Sequence, residues 1–131
     1  MTTVSRFFLA VLGFAYIGLG VWCSIAPQAT SDSVGFVLQP GQGQSEFLTV
    51  YGGLEVALGL IFLWPLLKRD DTRISLAICL VVHSSLVLFR SIGFFIYTGF
   101  ETTTYSLAAT EWVIFLIAAI LFSKSEPKLE E

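Results

Sequence analysis

The sequence predicts an all-α integral membrane protein, an antiparallel bundle of four transmembrane helices with both termini on the cytoplasmic side. Three observations predict it. Of 131 residues, 55% are hydrophobic and 13% charged, with a mean hydropathy of +0.80, whereas a soluble domain of this size has about a quarter of its residues charged. The apolar residues fall into four blocks, 7–26, 47–67, 74–97 and 105–122, each at or near the roughly 20 residues that a helix needs to cross about 30 Å of hydrocarbon. The cations outside these blocks occupy alternate connections only. A soluble enzyme, a nucleic-acid-binding protein and a disordered chain are excluded on these grounds.

The first span follows Arg6 and ends at Pro27, which cannot continue a helix. Its 20-residue run exceeds the roughly 7 to 15 of a signal-peptide core, and Pro27 after Ser24-Ile25-Ala26 disfavours cleavage, so it is expected to stay as a helix. Gly20-Val21-Trp22 ahead of Cys23 do not read as a lipoprotein signal. Ala10, Gly13, Ile17, Gly20 and Ser24 form a small-residue seam suited to close packing, including packing on a second copy. Residues 28–45 form a polar, Gly-rich connection with a turn at Pro40-Gly41-Gln42-Gly43 and an apolar patch at 34–38. It is expected either to cover the bundle or rest on the membrane surface, or to act as a lid over an outward-facing pocket.

Pro65 lies in the last turn of the second span, and Gly99 follows the third. Trp22, Trp64, Tyr97, Tyr105 and Trp112 fall at or near span ends, where amphipathic rings favour the headgroup layer. One domain, 1–125, is expected, followed by a solvated acidic cytoplasmic tail, 126–131. Cys23 and Cys79 are expected at different depths, too far apart for a disulfide, and read as small buried hydrophobes.

Orientation follows from Arg6, Lys68, Arg69, Arg73, Lys124 and Lys128, which all flank the same side, while residues 27–46 and 98–104 contain no Lys or Arg. By the positive-inside rule both termini are cytoplasmic, and the location expected is the bacterial inner membrane.

Four ionisable residues fall inside the spans: Glu55, His83, Arg90 and Glu111. A charge near mid-bilayer costs about 2.5 to 3.5 kcal/mol on insertion scales. Counted from the outer boundary, Glu55 is about nine residues down the second span, Arg90 about seven from the outer end of the third and Glu111 about six into the fourth. At about 1.5 Å per residue all three lie roughly 9 to 14 Å deep. A Glu55, Arg90, Glu111 cluster is therefore expected, its formal charge of minus one open to a proton, cation, water or ligand.

Helix faces agree with this. Tyr51, Gly52, Glu55, Gly59 and Phe62 share one side, with glycines bracketing Glu55, while His83, Arg90 and Tyr97 recur every seven residues. Tyr51 and Tyr97 are the expected rim. His83 is read either as a neutral ring bonded to Ser84, Ser85 or a nearby carbonyl, or as a proton relay toward the cluster. One histidine without a second ligand at its depth makes no metal set, no cofactor motif is present, and the serines lack a neighbouring base.

The segment Glu46-Phe47 followed by Tyr51-Gly52-Gly53-Leu54-Glu55-Val56-Ala57-Leu58-Gly59-Leu60, with Arg90-Ser91-Ile92-Gly93, Gly99 and Glu111, resembles the bacterial four-span family catalogued as domain of unknown function 4345. The resemblance covers nearly the whole chain and implies a four-span fold with Glu55, Arg90 and Glu111 at its polar positions. A topology-level similarity extends to the DoxX-like four-helix proteins, some of which accompany redox enzymes. The long first loop departs from many such sequences.

Three readings follow. The first is an accessory or oligomeric membrane subunit, with a second copy or another membrane protein as partner, whose cluster holds helices together. The second is a module that binds or transports a small polar ligand, an ion or protons. The third is an intramembrane enzyme with the cluster as acid and base, which lacks an accompanying motif; the chain is not read as an enzyme. Membrane lipid is a partner in every case and nucleic acid in none.

Overall fold

The computed structural model describes residues 2–125. Within a bilayer each backbone N–H and C=O needs an internal partner, and the apolar runs accordingly wind into helices. Helix α1 (Thr2–Ile25) leads to α2 (Pro27–Ser33), which begins at a proline whose missing N–H is no loss at a first helical position. After an extended stretch, α3 (Gln42–Phe47) starts at Gly41, whose φ of +78° favours glycine and whose N–H donates to Gln44 Oε1 at 3.2 Å. It continues through a π-helical segment, Leu48–Leu54, into α4 (Glu55–Leu67). A 3₁₀ turn (Arg69–Asp71), α5 (Thr72–Ile96) and α6 (Thr102–Ser123) complete the described chain.

Four helices are long and apolar enough to cross a membrane: Thr3–Ile25, Gln42–Leu67, Arg69–Ile96 and Thr102–Ser123. The expected spans match these to within five residues at each end. The second and third spans each start five residues earlier than expected, at Gln42 and Arg69, and the second carries the π segment. The acidic tail and Lys128 lie outside the described residues.

Lipid tails are as apolar as leucine, so close packing rather than expulsion of water holds such helices together. The α1 seam meets the glycine face of the second span. A methyl added at Gly59 would stand 2.7 Å from the Gly13 carbonyl oxygen, and one at Gly20 would stand 2.8 Å from the Gly52 carbonyl oxygen. At the far end, Arg6 Nε donates to the Pro65 carbonyl at 3.0 Å, a carbonyl in the last turn of α4. The seam considered for a second copy is thus filled from within the chain.

Leu9 and Leu12 of α1, Phe62 of α4, Leu76 and Cys79 of α5 and Ala118 of α6 form one buried core, drawn from all four spans. Helices α5 and α6 are tied at both ends. Arg73 lies 4.8 Å over the Phe122 ring and donates to the Ser125 carbonyl at 3.4 Å, while Tyr105 stacks on Phe94 at 5.6 Å. Cys23 and Cys79 are both buried as free thiols. Large apolar residues such as Phe7, Phe14, Val81, Phe89 and Phe95 are more than half exposed. That continuous apolar exterior suits lipid and not water.

Candidate functional site

The polar interior begins on α5, where His83 is fully buried. Its Nδ1 lies 2.9 Å from the Cys79 carbonyl oxygen. A carbonyl only accepts, so Nδ1 is the donor, and a neutral ring then leaves Nε2 to accept from the Tyr16 hydroxyl at 3.0 Å. Tyr16 packs edge-on against Phe62 at 5.3 Å and against His83 at 5.9 Å. The expectation of a carbonyl partner holds for His83, but Ser84 and Ser85 both donate to Val81 instead, at 2.9 Å. Their hydroxyls reach back along their own helix because that carbonyl is the nearest acceptor.

Tyr16 is the site residue that sequence reasoning missed. The signal for it was present: it continues the stripe of Leu9 and Leu12 at helical spacing, on the face that turns inward.

Arg90 and Glu111 join α5 to α6. Arg90 Nε donates to Glu111 Oε2 at 2.5 Å and Nη2 donates to Oε1 at 2.6 Å, the two-pronged geometry that a planar guanidinium gives with a carboxylate. The side chains are 28% and 12% exposed, so the pair is partly buried rather than sealed.

Glu55 does not complete a three-member cluster by direct bonds. It opens α4 immediately after the π segment, and its Oε2 is buried with no hydrogen-bond partner among the described residues. The reason is rotational. Gly52 and Gly59 bracket Glu55 and both press on α1, so Glu55 shares their side of the helix, while the fork of Arg90 is taken by Glu111 on α6. Equal depth did not mean equal azimuth.

Around Tyr51 the packing is aromatic. Tyr51 stacks on Phe47 at 4.6 Å, and Phe36 of the first loop meets the Tyr51 ring edgewise at 5.8 Å. The loop patch therefore rests on the N-terminal end of the second span, against Phe47 and Tyr51. Tyr97 lies just past α5 on extended backbone and is 65% exposed. The π segment carries Tyr51-Gly52-Gly53, and such widened turns are rare and concentrate at functional positions. Among the described residues no three of His, Cys, Asp or Glu gather as metal ligands.

Four membrane-capable helices, a two-pronged ion pair and a tyrosine-histidine bond define a small helical membrane-type protein with a polar interior. The chain belongs to the family of the Domain of unknown function (DUF4345), whose model matches residues 4–122. That match takes in Tyr16, Glu55, His83, Arg90 and Glu111 together. No curated protein and no solved structure matches.

Proposed function

We propose that this chain is an integral protein of the bacterial inner membrane, an antiparallel four-helix bundle with both termini cytoplasmic, that binds a cation or a small hydrogen-bond-donating ligand at Glu55. The observation that carries the reading is the buried, unpartnered Oε2 of Glu55. An uncompensated carboxylate inside a span is expensive, and the fork of Arg90 is occupied by Glu111. A cationic or donor group beside Glu55 offsets the charge of minus one left over from Glu55, Arg90 and Glu111. Tyr51 lies four residues before Glu55, and Phe36 of the first loop packs on its ring.

The test is thermal melting of purified protein against a panel of monovalent cations and small primary amines. A binder raises the melting temperature with its concentration, because it stabilises the folded state alone. The rise is expected in the wild type and not in Glu55→Gln, which should fold normally. A panel that shifts both proteins equally, or neither, contradicts the reading.

A second reading is favoured by the other two contacts. Arg90 with Glu111 ties α5 to α6, and Tyr16 with His83 ties α1 to α5. On this reading the polar interior is architectural and the chain serves as an accessory or oligomeric subunit. It requires Arg90→Ala to disassemble or unfold the protein, and wild-type melting and assembly in that variant would remove it.

A further inference from the structure

A second feature lies at the opposite end of the molecule. Between α4 and α5 opens a groove of about 240 Å³ lined by Leu60, Ile61, Trp64, Ile74, Ser75 and Ile78. That is about eight times the roughly 30 Å³ a water molecule occupies in the liquid. Its one polar wall residue is already satisfied, since Ser75 Oγ donates to the Ile61 carbonyl at 3.2 Å and so pins the two walls together. The groove therefore offers apolar contact alone, and it faces outward: Leu60, Trp64 and Ile74 are 57%, 44% and 65% exposed.

The mouth is chemically different. Trp64 Nε1 donates to Asp71 Oδ2 at 2.8 Å, which holds the indole at the turn, and Lys68 Nζ stands 5.4 Å from the ring centroid. Lys68 and Arg69 are both exposed there. Lys68, Arg69 and Arg73 against Asp70 and Asp71 leave one net positive charge on this connection. Arg73 is turned toward Phe122 and Ser125, whereas Lys68 and Arg69 are the exposed cations nearest in sequence to Trp64.

An apolar slot one helical turn from exposed cations, at a connection between spans, matches an amphiphile with an anionic head. We propose that the α4–α5 groove is a binding site for an anionic phospholipid, with an acyl chain in the slot and the phosphate at Lys68 and Arg69. A partner helix fits less well. Each wall is only five residues tall, about 7 Å, against the roughly 30 Å over which crossing helices pack.

The experiment reads Trp64 alone, in a protein carrying Trp22→Phe and Trp112→Phe. Both replaced rings are about half exposed and lie away from the groove. The protein is reconstituted into dioleoylphosphatidylcholine vesicles containing either brominated phosphatidylglycerol or brominated phosphatidylcholine, and bromine quenching of Trp64 gives relative affinities. Phosphatidylglycerol is expected to win by about fivefold, the factor that one positive charge near the surface is worth. The preference should fall to near one in Lys68→Gln with Arg69→Gln, and in the unsubstituted turn at about 1 M salt, where the screening length is about 3 Å. The salt arm stands even if the double variant fails to fold. Equal quenching by the two lipids, or a preference that survives both treatments, overturns the proposal. Absence of quenching by either lipid also overturns it and puts protein over the groove.

Discussion

The hydroxyl of Tyr16 on α1 and Nε2 of His83 on α5 lie 3.0 Å apart, at a histidine with no exposed surface. Tyr16→Phe removes the donor and leaves Nε2 unpaired in the core. Hydrogen bonds between transmembrane helices average about 0.6 kcal/mol and reach about 1.7. A loss near the upper value is expected because the histidine is buried. A double-mutant cycle with His83→Leu, read by melting, should show coupling of about 1 kcal/mol, and additive losses would mean the bond contributes nothing.

The Arg90–Glu111 pair should behave asymmetrically. Arg90→Ala strands a carboxylate and is expected to cost about 3 kcal/mol, as for other pairs broken on one side. Arg90→Met with Glu111→Leu removes both charges and should recover most of that stability. A double variant as unstable as the single one would show that the pair contributes more than mutual neutralisation.

The glycine face of the second span predicts a contrast between neighbours. A methyl at Gly59 would meet the Gly13 carbonyl oxygen at 2.7 Å, whereas one at Gly53 has nothing within 4 Å. Gly59→Ala should therefore push α1 away and cost about 1 to 3 kcal/mol, the usual range for overpacking. Gly53→Ala should melt within about 0.5 kcal/mol of the wild type. Equal effects in the two variants would mean that α1 does not pack on this face.

Topology is testable by labelling in intact cells. With Cys23 and Cys79 replaced by alanine, a cysteine at Gln39 should react with a membrane-impermeant maleimide from outside, and one at Ser125 should react only after lysis. The reverse pattern would invert the orientation drawn from Arg6, Lys68, Arg69, Arg73 and Lys124.

The axial coordinate of this fold is legible in the sequence, while rotation about each helix is less so. Span lengths follow from bilayer thickness, and depth arithmetic placed Arg90 level with Glu111, which do meet. The same arithmetic put Glu55 with them, but Gly52 and Gly59 turn that side of the helix to α1. Those glycines were readable as an approach site, and so was the α1 seam; that each is the other's partner needed the three-dimensional packing. The π segment has no sequence signal of comparable strength, since Tyr51-Gly52-Gly53 fits an ordinary helix interrupted by two weak formers. Tyr16 was passed over because residues 7–26 carry no charge, although a hydroxyl on the Leu9–Leu12 stripe has to find a partner when buried.

The central claim is that Glu55 is a binding group and not a structural one. Native mass spectrometry of the protein released from its own membrane with minimal detergent tests it most directly, reading subunit number and retained mass together. The account predicts a discrete non-lipid mass on the wild type that is missing from Glu55→Gln, with both proteins in the same assembly state. Identical spectra carrying only lipid would contradict it and leave the architectural reading of the Arg90–Glu111 and Tyr16–His83 contacts in its place.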